Sequence, residues 1–156
     1  MKKINIITGK IRSGKTTYLK KLITSTKNIG GIVQPANGED RFFSDIQTKE
    51  SKELTAQKKS KDTFQLGRFL FYSESFSWAR KKLKHTLVDG IETIVIDEYG
   101  PLEFADKGLE PAVSEIIEFV QYRNDKRIII VIRETLLEDF IQKFNLLKEE
   151  VEITKI

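Results

Sequence analysis

The predicted fold class is α/β: a mostly parallel central sheet with helices on both faces, in three layers, with a β-hairpin inserted near one end. Three observations predict it. Apolar runs of strand length alternate with segments of helical spacing along nearly the whole chain of 156 residues. Two of the runs, Thr93–Ile96 and Ile128–Ile132, are β-branched without interruption, as expected of strands buried on both faces. The length suits one compact domain, residues 1–156, with a core large enough to need no covalent staple.

The elements follow in order. Ile4–Thr8 is too short for a helix and is stopped by Gly9, so it reads as a buried strand. Thr16–Thr26 carries Leu19, Leu22 and Ile23 at helical spacing. Asn28 and the Gly30-Gly31 pair end that helix, and Ile32-Val33 begins a second strand. From Pro35 to Gly67 the pattern loosens, and Asn37-Gly38 marks a hairpin turn, followed by a mobile lysine-rich loop up to Asp62. Glu74–Val88 returns to helical spacing and stops at Asp89-Gly90. After Thr93–Ile96 come a helix over Leu109–Tyr122, the strand Ile128–Ile132, a helix over Leu136–Leu147, and a short strand at Val151–Ile153.

Composition narrows the chemistry. The chain has no cysteine, which removes disulfides, thiolate metal sites and a cysteine nucleophile, and fits a reducing compartment. The single histidine, His85, sits in a basic stretch read as a solvated helix face, so a transition-metal site is not expected. The 27 basic and 23 acidic residues leave only +4, interspersed along the chain, so no nucleic-acid partner is expected. The apolar start is cut off by Gly9–Lys15, which excludes a signal peptide or membrane span there. A cytoplasmic protein without membrane association, a monomer or weak homo-oligomer, is expected.

Gly9-Lys10-Ile11-Arg12-Ser13-Gly14-Lys15-Thr16 fits G-x-x-x-x-G-K-[ST] at every fixed position, directly after a strand and opening a helix. Glycines let the backbone curl so that successive N–H groups face phosphate oxygens. Lys15 supplies charge to the β- and γ-phosphates, Thr16 supplies a hydroxyl to Mg²⁺, and the helix start adds its positive dipole end. Gly9 to Thr17 are therefore the candidate nucleotide contacts.

Ile94-Val95-Ile96-Asp97-Glu98 is an apolar strand ending in two adjacent acids. Acids at that edge of a parallel sheet lie beside the crevice where such sheets bind ligands. Asp97 is placed to hold Mg²⁺. Glu98 is placed to accept a proton from an attacking water, a role that pure binding does not require. The plainer reading of the pair, an acidic turn at a strand end, is disfavoured by the phosphate loop upstream.

Gly9–Thr17, Gly30-Gly31-Ile32 and Ile96-Asp97-Glu98-Tyr99-Gly100-Pro101-Leu102-Glu103-Phe104 together resemble the small P-loop nucleoside-triphosphatases described as cancer-related nucleoside-triphosphatase homologues. In that family the acid strand reads on as Asp-Glu-Ile-Gly-(Pro/Lys)-Met-Glu-Leu; this chain has Tyr99, Leu102 and Phe104 at three of those places. The segment from Asn37 to Lys61 matches poorly, and Thr154-Lys155-Ile156 stands where the family runs into a Thr-Pro-Glu-Asn-Arg-like segment. The resemblance implies Mg²⁺-dependent hydrolysis of several nucleoside triphosphates to diphosphates on a RecA-like or related P-loop core.

Arginine usually assists at the γ-phosphate. Arg133, following the strand Ile128–Ile132, is the first candidate; Arg12 in the loop comes next, and Arg41 and Arg68 are weaker. For each, a surface ion pair is the competing role. Glu103 is a candidate for orienting the acid loop or its water, and Tyr99 and Gly100 are candidate nucleotide contacts, Tyr99 by stacking on a base or else as a packing residue. A small-molecule kinase ranks second to the triphosphatase, because the segment from Arg41 to Arg68 is short for a lid. A non-catalytic nucleotide-binding module ranks third, because the chain lacks Asn-Lys-x-Asp.

Overall fold

The computed structural model describes every residue except Asp89. Ten strands among the described residues form an eight-stranded mixed sheet and a separate two-stranded one, laid down in chain order as follows. Strand β1 (Ile4–Gly9) leads through the phosphate-loop motif into helix α1 (Lys15–Ser25). Then come β2 (Ile29–Val33), an antiparallel arm made of β3 (Ala36–Asn37), β4 (Asp40–Asp45), β5 (Ser51–Glu53), β6 (Thr63–Leu66) and β7 (Phe69–Tyr72), and helix α2 (Ser73–His85). Strand β8 (Thr93–Tyr99) is followed by the short α3 (Pro101–Phe104) and by α4 (Ala112–Gln121). Strand β9 (Arg127–Arg133), a 3₁₀ turn at Glu134–Leu136, α5 (Leu137–Lys143) and β10 (Val151–Lys155) complete the chain.

The main sheet runs β10-β1-β9-β8-β2-β4-β3, with β5 also paired to β4. The five strands from β10 to β2 are parallel, and β4 turns back antiparallel to β2. Strand β9 thus separates β1 from β8, and its last residue comes level with Gly9. Alternate residues of each central strand face opposite sides. Ile4, Ile6, Ile94, Ile96, Ile128 and Ile130 pack under α2, α4 and α5. Ile7, Val95, Ile129 and Val131 pack under α1 through Leu19. Both faces being covered is why Ile128–Ile132 has no polar residue: all five are buried.

Several boundaries differ from the sequence reading. Gly30 and Gly31 lie inside β2 rather than ending a helix. Gly31 pairs with Val95 at φ 123°, and a Cβ there would lie 2.1 Å from the Val95 carbonyl oxygen. The glycine pair is a close-approach device between neighbouring strands. The hairpin at Asn37-Gly38 is present, with Asn37 paired to Asp40. The region beyond it is more ordered into strands than expected: β5 pairs with β4, and β6–β7 form a second hairpin around Gly67-Arg68. Helix α2 ends at His85 with Thr86 as its cap; its expected stop at Asp89-Gly90 involves Asp89, which lies outside the described residues. Helix α4 starts only after Pro111, and α5 is shorter than expected because it stops at Lys143, with Asn145 beyond it at φ 48°. His85 is exposed, as expected.

Candidate active site

The loop between β1 and α1 is shaped by its own backbone. Gly14 caps α1 at φ 96°, Arg12 adopts φ 62°, and Ser13 N–H donates to the Lys10 carbonyl at 3.2 Å. A Cβ at Gly9 would lie 2.6 Å from Ser13 Oγ, so the first glycine is required for the curl. Lys15 Nζ donates to the carbonyl oxygens of Gly9 and Lys10, at 3.0 and 2.6 Å, and so closes the loop on itself. Ser13 Oγ is buried without a partner. No acid stands in the first turn of α1, so the helix start is electrostatically open to an anion. Lys10, Ile11, Arg12, Gly14, Thr16 and Thr17 are all exposed around it.

At the end of β8 the ladder to β9 slips. Ile96 pairs with Ile130 but Tyr99 with Ile132, so three steps on β8 face two on β9. The extra residue bulges the strand, and Glu98 takes φ 72°. That single step decides where three side chains go. Asp97 stays on the α1 face, where it and Thr16 line one cavity of about 300 Å³. Glu98 leaves the sheet at its edge and lines a second cavity, about 70 Å³, with Arg133, Arg41, Gln34 and Gly100. Tyr99 is thrown onto the opposite face from Asp97 and joins the core under α2, α4 and α5.

Arg133 emerges beside Glu98: its Nε donates to Glu98 Oε1 at 2.9 Å, with both side chains partly exposed. Arg12 stays on the exposed loop. Arg68 is a surface residue, 3.8 Å from Glu39 and lying over Phe69. Arg41, ranked low from sequence, is carried by β4 over the sheet edge into the Glu98 cavity, its guanidinium 4.5 Å above the centre of the Phe69 ring. Sequence separation hid this, because the arm had no recognisable register.

Two expected nucleotide contacts are corrected. Tyr99 is completely buried, edge-on to Phe104, Phe140 and Phe144, and its hydroxyl donates to Glu110 Oε2 at 2.7 Å. Burial pushes the phenol above its usual range. The ring has no free face for a base. Gly100 is buried too, and its N–H is already given to Glu103 Oε1 at 2.9 Å. Glu103 itself is 6% exposed and spends its other oxygen on the Leu109 N–H at 3.1 Å. It ties the acid loop together with both oxygens and also lines the Glu98 cavity. Burial pushes its carboxyl up to about 7, against the pull of those two N–H groups.

Burial pushes Asp97 up to about 6; the Gln34 N–H, donating to Oδ2 at 2.9 Å, opposes this, and the charge of Glu98 adds to it. A buried carboxylate whose charged neighbour is another carboxylate is an incomplete electrostatic unit, and a hard divalent cation completes it. Asp97 and Thr16 offer the oxygen ligands that suit Mg²⁺, which takes one or two protein groups and fills its shell with water and phosphate oxygens. The residues fit the ion. Gln34 was not singled out from sequence; its position immediately after the β2 run and before Pro35, at the sheet's ligand-binding edge, is the signal that would have found it.

The likeness of the fold to known proteins extends over nearly the whole chain. No curated protein sequence matches the chain. Among solved structures, THEP1 from the hyperthermophile Aquifex aeolicus superposes with a TM-score of 0.73 at 18% identity, covering 97% of this chain and 88% of that one. The solution structure of a human cancer-related nucleoside triphosphatase superposes with a TM-score of 0.70 at 17% identity, covering 99% and 88%. These likenesses establish the P-loop α/β fold. The sequence pattern of the family described as NTPase matches residues 4–156, from the first strand through the last, and the chain belongs to that family.

Proposed function

We propose that the protein hydrolyses nucleoside triphosphates, ATP and GTP among them, to nucleoside diphosphate and phosphate in a Mg²⁺-dependent reaction. The observation that carries this reading is Glu98, turned out of the sheet by the bulge and held by Arg133 at the edge of the phosphate loop. A residue in the left-handed region costs on the order of 1–2 kcal/mol, and such strain concentrates where a side chain must be aimed.

In this mechanism Lys15 gives up its bonds to the Gly9 and Lys10 carbonyls for the β- and γ-phosphate oxygens. The N–H groups of the loop and of the α1 start hold the remaining oxygens. Thr16 and Asp97 would hold Mg²⁺, which when bound would neutralise negative charge on the triphosphate. Glu98 takes a proton from a water whose oxygen forms the new bond to the γ-phosphorus, while the bond to the bridging oxygen breaks and its electrons stay on the diphosphate. Arg133, beside Glu98, neutralises charge on the γ-phosphoryl oxygens as they separate. All these contacts go to phosphate, metal and water, so broad base tolerance follows. No helix of the described residues is long and apolar enough to cross a membrane, and cysteine is absent; we place the activity in the cytoplasm, in a monomer or weak homo-oligomer.

The test is phosphate release from ATP, GTP, CTP and UTP, with and without Mg²⁺, in wild type and Glu98→Gln. Release from several triphosphates only with Mg²⁺, and a loss of ~10²–10⁴-fold in the variant with ATP binding retained, is expected. A variant turning over at more than about half the wild-type rate removes Glu98 as the base.

A further inference from the structure

We infer that Gln34 is a positioning residue for Glu98, its side-chain amide standing in for the sheet bond that the β8 bulge gives up. The regular pairing of β2 with β8 ends at Ile32–Ile96, and the pairing of β8 with β9 slips from that same point. The peptide joining Asp97 to Glu98 therefore lies where both flanking ladders have lost their register. A partly buried carbonyl in that position takes a donor from elsewhere. Gln34 Nε2 supplies it, donating to the Asp97 carbonyl oxygen at 2.9 Å. The Gln34 backbone N–H meanwhile donates to Asp97 Oδ2 at the same distance. One residue thus holds both the carboxylate of Asp97 and the peptide on which Glu98 pivots.

Two further features agree. Gln34 precedes Pro35, and a residue before proline is kept out of the helical region, so its own backbone is restrained where the chain leaves the sheet. Gln34 also lines both cavities, the one with Thr16 and Asp97 and the one with Glu98 and Arg133, and so forms the wall between metal acid and base. Arg133 grips the Glu98 carboxylate from the other side, while Gln34 holds the peptide next to which Glu98 takes its φ of 72°. The proposal rests on Glu98 being the base.

Gln34→Met keeps the length and loses the donor. Its kcat and KM for ATP with Mg²⁺, its ATP affinity by calorimetry and its melting temperature are measured beside Glu98→Gln and the double variant. The expected result is a kcat lower by roughly ten- to a hundredfold, the scale of a misplaced catalytic group, with affinity within about twofold and melting close to wild type. In the double variant the two losses do not multiply: Gln34→Met/Glu98→Gln runs within about twofold of Glu98→Gln alone, since a positioning residue has nothing left to position. Should the methionine variant melt early, Gln34→Ala repeats the comparison at smaller size. A Gln34→Met kcat within twofold of wild type beside a slow Glu98→Gln overturns this inference alone, and so does full multiplication of the losses. A fast Glu98→Gln overturns the base assignment and this inference with it.

Discussion

The parallel half of the sheet and the antiparallel arm, residues 35–72, obey different rules although they share hydrogen bonds through β2 and β4. In the parallel half, Ile128–Ile132 and Thr93–Asp97 are buried residue after residue. In the arm, β5 is exposed throughout, and β4 buries only Phe43 and Asp45. The arm is seated by aromatic rings, Phe43, Phe64 and Phe71 against Phe76 of α2, rather than by a second covering layer. The division matches the chemistry. Lys15, Asp97, Glu98 and Arg133 all stand at the edge of the parallel half, Gln34 stands where the chain leaves β2, and the arm brings Arg41 over that edge from one side. Precision comes from strands buried on both faces, and reach comes from strands buried on one.

Two glycines at positive φ test the difference most sharply, and they bracket the expected effects. Gly31→Ala puts a methyl 2.1 Å from a backbone oxygen of the central strand β8, where nothing can yield; a loss of about 5 kcal/mol or more is expected, read as a collapse of the urea midpoint or failure to fold. Phe43→Ala empties the one fully buried aromatic position of β4 and should cost about 4 kcal/mol. A cost below about 1 kcal/mol would show that the arm is not seated on the core as described.

Glu103 gives a pH signature to the parallel half. Its carboxyl is pushed up to about 7 in the fold, against 4.5 unperturbed. Below pH 4.5 both states keep the proton. Between about 4.5 and 7 the unfolded chain releases it while the fold retains it, so the native state binds more protons and stability falls as pH rises. The loss levels off above about 7, at about 3 kcal/mol. Asp97 shifts in the same direction, so the readout is the difference between wild type and Glu103→Gln in urea melts from pH 4.5 to 8. Parallel curves for the two would contradict it. Smallest is Gly38→Ala at the arm's turn: φ is 65° but no atom lies within 4 Å of the added methyl, so only the backbone penalty of about 1 kcal/mol is expected. A Gly38→Ala loss as large as that of Gly31→Ala would erase the distinction between the two halves.

Legibility from sequence followed the same line. Strands covered on both faces show as unbroken apolar runs, and a phosphate loop shows as a short contiguous motif, so β1, β8, β9, α1 and residues 9–17 were readable. The arm was not. Its strands are short, half exposed and irregular in alternation, and β6–β7 around Gly67-Arg68 passed unnoticed although a glycine turn marks it. Of the two roles open to Tyr99, base contact and packing, the structure gives it the second: alternation would place residues 97 and 99 on one face, and the bulge at Glu98 reverses that parity.

By itself, then, the sequence determined the class of fold, the phosphate loop and the presence of two acids at the end of a buried strand, because each is written in contiguous residues whose local chemistry admits one reading. Only the tertiary structure decided which way those acids point, that Glu103 and Gly100 satisfy each other, and that Gln34 and Arg41 reach the site. These depend on register between strands distant in sequence, and a shift of one residue moves every side chain beyond it to the other face of the sheet.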